Sequence, residues 1–464
     1  MRYISTRGTD SADYSFMEVL LKGMPEDGGL YVPKELPRFS PEKISSLKGL
    51  AYNDIAFEII KPFTGDCIPD EVLKEIIGNS YGTFDHSCVA PLYPLYSNVW
   101  VLELFHGPTL AFKDFALQIL GRLLDYALEQ EGRRAIVLGA TSGDTGSAAI
   151  EGCRHSKNLD IIILHPHKRV SEIQRRQMTT VLASNVHNFA IDGNFDDCQE
   201  LVKQCLIDQS FLPKNINLVA VNSINWARIM AQIVYYFYAS VQLGGSEREI
   251  VFSVPTGNFG DIYAGYIAKR MGLPISKLVV ATNKNDILHR FFQNNDYSRK
   301  TLYQTLSPSM DIMVSSNFER LLFDAYQQDA SAIKELMSQF HDSNKLTIKK
   351  SIWLEIKQYF SSYSAQDSDI CDTMKKTYNE TSYLLDPHTA TGIHALKSMD
   401  SLPLTPQVSL ATAHPIKFQQ AIVDAQLTAP KPPQSMRELL TKQEKYNIIP
   451  KNLDNLKKII ITLT

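Results

Sequence analysis

The sequence contains few cysteines, no marked excess of charge and no long apolar run. Its 464 residues include 6 cysteines and carry a formal net charge of -3. The cysteines form no CxxC pair and no dense framework, which argues against structural zinc and favours a reduced compartment. No metal site is predicted. Because binding along nucleic acid needs a basic face or stripe, no nucleic-acid partner is expected.

Membrane insertion and export are not expected either. No stretch approaches the roughly 18 consecutive apolar residues of a membrane span, and the opening MRYISTRGTDSADYSF has no apolar core of a signal peptide. A cytoplasmic protein without a membrane partner is therefore predicted. The composition, 44% hydrophobic and 21% charged, is that of an ordinary globular protein. The length predicts about two or three packed units.

From about residue 132 onward, short apolar runs alternate with turns and helical stretches. This alternation predicts an α/β architecture, a mostly parallel sheet covered by helices. Each run is almost unbroken, as in a strand that is buried on both faces. The predicted strands are Ala135–Leu138, Ile161–Leu164, Asn188–Ile191, Leu218–Val221, Ile250–Ser253, Leu278–Ala281 and Val408–Ala411.

Three other regions lack this pattern. Residues 1–95 are punctuated by proline and are interpreted as a separate N-terminal unit. A polar segment with helical periodicity, about 329–380, is predicted to be an appended helical region. Residues 431–464 are expected to form a C-terminal tail.

The segment FHGPTLAFKDFALQILGRLLDYALEQEG places a lysine on the apolar face of a predicted helix. Pro108 and Thr109 predict the start of the helix, and Gly132 predicts its end. At helical spacing Lys113 is followed by apolar residues, whereas Asp114 is followed by polar ones. The pattern therefore predicts an exposed face that carries Asp114 and a buried stripe that begins at Lys113.

A lysine on a buried face is costly unless it is paired, neutral or covalently used. Phe112 and Phe115 would desolvate the Lys113 amine, which lowers its pKa and supplies the neutral nucleophile that a Schiff base requires. In the alternative interpretation, Lys113 bends its head group out to water. The helical face alone leaves both interpretations open.

Four predicted strand-to-helix turns carry small and hydroxyl residues where free backbone N–H groups could bind an anion. None of them matches a dinucleotide-binding or P-loop motif. Ligands of open α/β sheets gather at the carboxyl ends of the strands, so several such turns beside a buried amine suggest a phosphorylated carbonyl cofactor and a second phosphate. The turns lie at 141–146, 222–225, 256–261 and 412–415.

A series of motifs, in order along the chain, is similar to that of threonine synthases. The motifs are LELFHGPTLAFKDFA, ATSGDTG, VNSINWARI, PTGNFGD, SMDI followed by SSNFERLLF, LDPHTATG and ATAHPIKF. The resemblance begins with the N-terminal MRYISTRG and GGLYVP and extends to about residue 418. It implies an enzyme dependent on pyridoxal 5'-phosphate (PLP), of fold type II, with two doubly wound α/β domains and an additional N-terminal domain.

The resemblance also implies domain boundaries and cofactor contacts. The catalytic core would span residues 96–430, with a smaller subdomain at about 133–228. Lys113 would hold PLP as a Schiff base and act as the catalytic base. Thr412 would face the pyridine nitrogen, and Asp144 would lie close to the ring. The cofactor phosphate would lie at Gly257, Asn258, Phe259, Gly260 and Asp261.

The same resemblance implies O-phospho-L-homoserine as the substrate. Its carboxylate would bind the loop from Ser142 to Thr145, and its phosphate would bind Asn222, Ser223 and Arg228. Short-chain relatives carry an asparagine in place of the aspartate in the ATSGDTG loop, so this chain departs from their pattern there. By the sequence alone, Arg228 could instead form a surface salt bridge.

The implied reaction converts O-phospho-L-homoserine and water to L-threonine and phosphate, the last step of threonine biosynthesis. One alternative keeps the fold but acts as a phospho-lyase that releases 2-oxobutyrate, ammonia and phosphate. A more distant alternative is a binding module without catalytic activity. The oligomeric state, monomer or homodimer, does not follow from the sequence.

Overall fold

The N-terminal part of the chain consists of helices and a short antiparallel strand pair. The computed structural model describes residues 1–8, 12–213, 215–220, 223–400 and 404–463. The first helix begins at Phe16 because Ser15 and Glu18 cap it reciprocally through a capping box. The elements of this part are β1 (Tyr3–Ser5), α1 (Phe16–Lys22), β2 (Tyr31–Pro33), α2 (Pro41–Ser45), α3 (Tyr52–Thr64) and α4 (Asp70–Tyr81).

The chain then alternates between strands and helices, as its apolar periodicity predicts. The elements up to the middle of the chain are β3 (Leu92–Tyr96), β4 (Val99–Glu103), α5 (Lys113–Glu131), β5 (Arg134–Ala140), α6 (Asp144–Cys153), β6 (Leu159–Pro166), α7 (Glu172–Thr179), β7 (Val186–Asp192), α8 (Phe195–Ile207), β8 (Ile216–Val219) and α9 (Trp226–Gln242). Helix α9 has an apolar sequence and is buried from Trp226 to Val241.

The second half continues in the same way. Its elements are β9 (Ile250–Pro255), α10 (Gly260–Arg270), β10 (Ile275–Thr282), α11 (Ile287–Asn294), β11 (Tyr297–Ser298), α12 (Phe318–Ala325), α13 (Ala330–Ser343), β12 (Lys345–Leu346), α14 (Lys350–Lys357), β13 (Phe360–Ser364), α15 (Asp367–Thr381), α16 (Pro387–Lys397), β14 (Gln407–Ala411), α17 (Gln419–Asp424), α18 (Gln434–Thr441), β15 (Asn447–Pro450) and α19 (Leu453–Thr462).

Most of the later strands belong to two sheets. The larger sheet has the strand order β13-β10-β9-β14-β4-β3, and the smaller sheet has the order β15-β7-β6-β5-β8. Neighbouring strands are parallel except β3 and β4, which are antiparallel. Successive residues of β5 pack into different apolar cores, Val137 on one face of the sheet and Leu138 on the other. Burial on both faces therefore explains the unbroken apolar runs.

The α/β architecture is confirmed, and each predicted strand occurs. Val221, the last residue of one of them, lies outside the described residues, and β8 ends at Val219. No helix in the described part of the chain is both long and apolar enough to cross a bilayer.

Two segments contribute strands that their sequences did not predict. The region at about 329–380 is not purely helical, because β13 lies at the edge of the larger sheet, parallel to β10. Its serine-rich sequence FSSYS contains no apolar run that would mark a strand. Residues 431–464 do more than form a tail: β15 pairs with β7, and Leu456 and Ile460 of α19 pack beside Cys198. The domain boundaries themselves stay predictions.

Helix α5 begins later than predicted, and its predicted polar face is buried in the first turns and partly or fully exposed only further along, at Arg122, Asp125 and Glu129. It starts at Lys113 rather than at Pro108, and it ends at Gly132, which has the expected left-handed conformation. Asp114 is fully buried, so the predicted exposed face is wrong at this position. The reason is local: the Asp114 carboxylate accepts the Thr109 backbone N–H and hydroxyl, both at 2.8 Å, and this holds the preceding turn outside the helix.

Candidate active site

The predicted anion-binding turns follow β5, β8, β9 and β14, at the carboxyl ends of parallel strands. Lys113 is held beside the last of them, because the Phe112 N–H donates to the Thr412 carbonyl at 2.8 Å and Ala111 forms a bridge with Ala413. Thr412 itself is buried. The start of α5 therefore lies at the carboxyl end of the larger sheet, the edge at which α/β proteins bind ligands.

The Lys113 amine lies in the cleft, where its side chain is 15% exposed. Burial lowers the pKa of Lys113 to about 8; Asp144 opposes this shift, and Lys417 and Arg228 add to it. Its Nζ lies 3.9 Å from the Asp144 Oδ2. A substantial neutral fraction of this amine is therefore present near neutral pH, as a nucleophile or general base requires.

Asp144 begins α6 and is buried among hydrogen-bond donors. Its Oδ1 lies 2.6 Å from the Lys417 Nζ and accepts the Gln174 amide at 2.8 Å. Burial alone would raise the pKa of Asp144, but the charges of Lys417 and Lys113 hold it well below its usual range. The carboxylate is therefore ionised. Sequence reasoning missed Lys417, although a lysine directly after a buried strand, between Ile416 and Phe418, is a usable signal.

The loop between β5 and α6 is shaped by its own hydroxyl. The Thr141 Oγ1 accepts the N–H groups of Gly143 at 3.0 Å and of Gly146 at 2.9 Å. Gly143 has φ +146°, and a Cβ atom there would overlap the Gln174 side chain. Ser142 is exposed and Thr145 is partly buried, at the start of α6. Their hydroxyls and the free N–H groups of the helix can bind an anion.

The loop between β9 and α10 is held from outside by the segment that precedes α12. The Ser315 hydroxyl donates to the Gly257 carbonyl at 2.5 Å, and the Asn317 N–H donates to the Asn258 carbonyl at 3.0 Å. A Cβ atom at Gly257 would come closer than 3.0 Å to the Ile312 side chain and would lie 3.3 Å from backbone atoms of Ser309 and Met310, so the loop packs closely against this segment. These contacts leave the N–H groups at the start of α10 for an anion.

The side chains of the last residues of this loop point away from its anion-binding backbone. Phe259 has φ +63° and packs against Phe318. The Asp261 carboxylate accepts the hydroxyls of Tyr235 at 2.5 Å and Tyr236 at 2.9 Å, both on α9. Burial raises the pKa of Asp261 to about 6. A phosphate at this loop would therefore meet the backbone N–H of Asp261 and Gly260 but not the carboxylate.

Arg228 lies in the first turn of α9, which Asn225 caps through the Ala227 N–H. Arg228 is only 5% exposed, and its Nε has no hydrogen-bond partner among the described residues. Burial lowers the pKa of Arg228 to about 10, so the guanidinium stays charged at neutral pH. The alternative of a surface salt bridge is wrong, because the side chain is buried and no carboxylate of the described chain pairs with it.

The loop before α9 is linked to the loop before α10 through Ser316, in the segment that precedes α12. The Ser223 and Ser316 hydroxyls lie 3.0 Å apart, and the Ser316 hydroxyl donates to the Asn258 amide oxygen at 3.3 Å. The structure thus brings Ser223, Asn258 and the start of α10 together. Asn222, the remaining predicted phosphate ligand, lies outside the described residues.

The described residues fit PLP. A partly buried lysine of lowered pKa can bind an aldehyde, and the glycine-lined start of α10 can hold a phosphate. Arg228, whose Nε has no partner among the described residues, is suited to a second anion. Among the described residues, no cluster of side chains is suited to hold a metal ion.

The carboxyl ends of the parallel strands lie beside Lys113 and the glycine-containing loops that can bind anions. This arrangement defines a class of enzyme. A family model described as "Pyridoxal-phosphate dependent enzyme" matches residues 90–351, and the chain is a PLP-dependent enzyme of fold type II. Models described as "Threonine synthase N terminus" and "Threonine synthase, C-terminal" match residues 2–81 and 389–460. The chain belongs to the threonine synthase family.

Individual relatives agree over the whole length. The chain is 56% identical to threonine synthase from Pseudomonas aeruginosa over 98% of this chain and 96% of that protein. A crystal structure of PLP-bound threonine synthase from Brucella melitensis has a TM-score of 0.97 at 46% identity, covering 100% of this chain and 99% of that one. The yeast threonine synthase structure has a TM-score of 0.94 at 38% identity, with 99% and 98% covered.

These findings confirm the resemblance, the PLP cofactor and the fold class. They also establish the chain as a PLP-dependent lyase of threonine biosynthesis. The roles of individual site residues stay predictions.

Proposed function

We propose that the chain converts O-phospho-L-homoserine and water to L-threonine and inorganic phosphate. The observation that supports this substrate is the buried Arg228, whose Nε has no partner in the described chain. A buried guanidinium without a carboxylate favours an anionic ligand, and phosphate matches its planar set of donors. The amine of Lys113 is close enough for the Arg228 charge to affect its pKa. The substrate phosphate and the reactive lysine therefore share one cleft.

Each loop supplies one part of the binding site in this proposal. The N–H groups from Gly257 to Asp261, at the start of α10, hold the cofactor phosphate. Ser142 and Thr145, at the start of α6, bind the substrate carboxylate. Ser223, Arg228 and Asn222 bind the substrate phosphate, Asn222 by the family resemblance alone.

In this proposal Asp144 and Thr412 would hold the cofactor ring. When bound, PLP supplies the electron sink that allows protons to leave the carbons near the substrate amine. A neutral hydroxyl from Thr412 beside the pyridine nitrogen would make this sink milder than a carboxylate would. Asp144, ionised and turned towards Lys113, would lie beside the ring.

Lys113 has two tasks. It binds the cofactor through its amine, and once the substrate amine replaces it, the freed amine takes a proton from Cα and then moves a proton at Cβ. The bond between Cγ and the phosphate oxygen breaks, and Cγ takes up a proton to become the methyl group. The water oxygen bonds to Cβ, and the protons lost from Cβ and from water equal those taken up by Cγ and by the released phosphate. The pKa of about 8, lowered from 10.5, suits both proton transfers, because the amine releases a proton far more readily near neutral pH than an ordinary lysine does.

The products of phosphohomoserine turnover test the proposal. Phosphate release is measured together with amino-acid and 2-oxo-acid analysis of the same sample. Threonine in equal amount to phosphate supports the synthase reaction. A yield of 2-oxobutyrate and ammonia instead would establish the phospho-lyase, and no turnover together with no visible cofactor absorbance would indicate a binding module.

Replacing Arg228 by methionine tests its role in binding phosphate. Loss of paired charge-assisted hydrogen bonds, at about 1.5–3 kcal/mol each, should lower kcat/KM at least about 100-fold. Arg228→Lys should recover part of the loss, and the visible absorbance of bound cofactor should remain in both variants.

Arg134→Gln is a matched control for that experiment. Arg134 also carries one positive charge, but it lies at the other end of β5, where it pairs with Asp160 at 2.8 Å. Its kcat/KM should stay close to that of the unaltered protein. An Arg228→Met variant that behaves like Arg134→Gln would refute the assignment.

A cytoplasmic location is part of the proposal. All six cysteines are free, as in a reducing compartment. Cell fractionation would test it, and a monomer and a homodimer would be distinguished by light scattering.

A further inference from the structure

Lys417 is a buried lysine of the site to which no role has been assigned above. It lies in the short 3-10 helix Pro415–Phe418, directly after β14, and its side chain is 0% exposed. Its ammonium contacts the Asp144 Oδ1 at 2.6 Å and donates to the Thr109 carbonyl at 2.8 Å. A buried ammonium is stable only when paired, so Asp144 and Lys417 depend on each other.

The contacts of Asp144 divide between its two oxygens. Lys417 and Gln174 both hold Oδ1. Oδ2 points to the Lys113 Nζ at 3.9 Å and lies 3.5 Å from the Ser309 hydroxyl. One oxygen is therefore fixed by the protein, and the other faces the reactive amine.

We infer that Lys417 is a positioning residue that orients Asp144 and neutralises its charge, so that the pair acts on Lys113 as a side chain without net charge. The inference rests on the proposed function, which places Asp144 beside the cofactor ring. Lys417 touches neither Lys113 nor the reacting atoms in this arrangement, and it acts through Asp144.

The charges around Lys113 determine what each substitution should do. Asp144 reaches it from α6, Arg228 from α9 and Lys417 from the 3-10 helix after β14. Asp114, within α5, faces Lys417 from another side. Removing a cation from this group makes the surroundings of the lysine nitrogen more negative, and removing the carboxylate makes them more positive.

The experiment uses the holoenzyme and the pH midpoint of its visible cofactor absorbance. Lys417→Met should raise the midpoint by about one pH unit or more, and Asp144→Asn should lower it by a similar amount. The double variant should return to within about half a unit of the unaltered protein, because both charges are gone. It should also recover at least about tenfold in kcat/KM over Lys417→Met, because no unpaired buried charge remains.

Two further variants separate the Asp144 contact from packing. Lys417→Arg keeps the charge and should keep the midpoint. Gln177→Leu is the matched control, because the Gln177 amide donates to the same Thr109 carbonyl at 2.9 Å and has no bond to Asp144. Gln177→Leu should leave the midpoint unchanged. If it shifted the midpoint as Lys417→Met does, the lost hydrogen bond to the Thr109 carbonyl would explain both shifts, and the inference would be overturned.

Other results would overturn it as well. One such result is a shift of the pH midpoint in the same direction for Lys417→Met and Asp144→Asn. Another is a double variant whose midpoint lies further from that of the unaltered protein than either single variant does. Either result would show that the pair does not act as a charge-balanced unit. If Lys417→Met does not fold, the double variant and Lys417→Arg still decide the question. Failure of the proposed function would appear in the products of the unaltered protein, whereas failure of this inference would appear only in the variants.

Discussion

Replacing Gly121 by alanine is expected to push α5 away from α6. A Cβ atom at Gly121 would lie closer than 3.0 Å to the Gly152 carbonyl oxygen, and a Cβ atom at Gly152 would lie equally close to the Leu117 oxygen. Backbone atoms of packed helices cannot rotate away, so the helices would have to separate by about 1 Å. Lys113 begins α5 and Asp144 begins α6, so the displacement falls between these two site residues.

Two opposing effects determine the magnitude. Alanine favours a helix interior over glycine by about 1 kcal/mol. Overpacking costs about 1–3 kcal/mol, and contact with backbone on both sides places Gly121→Ala at the upper end of that range. The free energy of unfolding should therefore fall by about 2 kcal/mol. A displacement of about 1 Å between catalytic groups should also lower kcat about 100-fold.

Gly78 in α4 is the matched control, because no atom lies within 4 Å of a Cβ atom placed there. Gly78→Ala should gain about 0.4–1 kcal/mol and keep full activity. Urea unfolding and steady-state kinetics of both variants provide the test. If Gly121→Ala unfolded at the same urea concentration as Gly78→Ala and kept its kcat, close packing of α5 on α6 would not set the geometry of the site.

Two further predictions concern residues around the phosphate loops. Burial raises the pKa of Asp261 to about 6, so this carboxyl binds a proton more tightly in the folded protein than in the unfolded chain. The resulting stabilisation of the folded protein, about 3 kcal/mol, is fully present below about pH 4 and is lost as the pH rises through 6. Urea unfolding should therefore show the unaltered protein losing stability relative to Asp261→Asn between pH 4 and 7, and parallel profiles would contradict the assignment. Arg320→Met should lower the unfolding free energy by about 3 kcal/mol or more and raise KM, and an unchanged urea midpoint would refute this. The reason is that buried Arg320 donates to the Tyr31 and Ile224 carbonyls and to Asn317.

The strands β5 to β10 and β14 were predictable because burial on both faces leaves a simple pattern in the sequence. Runs such as Ile161–Leu164 stand out from their polar surroundings, and β6 is buried along its length. The turns after β5 and β9 were predictable for a related reason. Glycine is favoured at Gly143 by its positive φ and at Gly257 by close packing against Ile312, and such glycines remain visible in the sequence.

The positions of β13 and β15 were not predictable from local pattern. A short strand at the edge of a sheet needs fewer apolar residues, and its pairing is decided by distant segments. The orientation of Asp114 was missed for another reason. Helical spacing assigned it to an exposed face, but the irregular turn at Thr109 supplies two donors that bury the carboxylate.

The same limit applies to the partners of charged residues. Lys417 and Asp144 are far apart in the sequence, and no periodicity indicates that the turn after β14 reaches the start of α6. The family motifs contained both residues without relating them. Only the geometry shows the 2.6 Å contact.

The balance of charge in the cleft links stability to function. Lys113 and Lys417 lie beside the Asp144 carboxylate, and Arg228 acts on Lys113 from α9, so the cations around the reactive amine outnumber that carboxylate. Such an excess is costly in a buried site unless anions bind there. In the proposed function, the substrate phosphate at Arg228 provides such an anion. The charge distribution that destabilises the folded chain therefore also favours the binding of phosphorylated ligands. Binding of such a ligand should stabilise the fold.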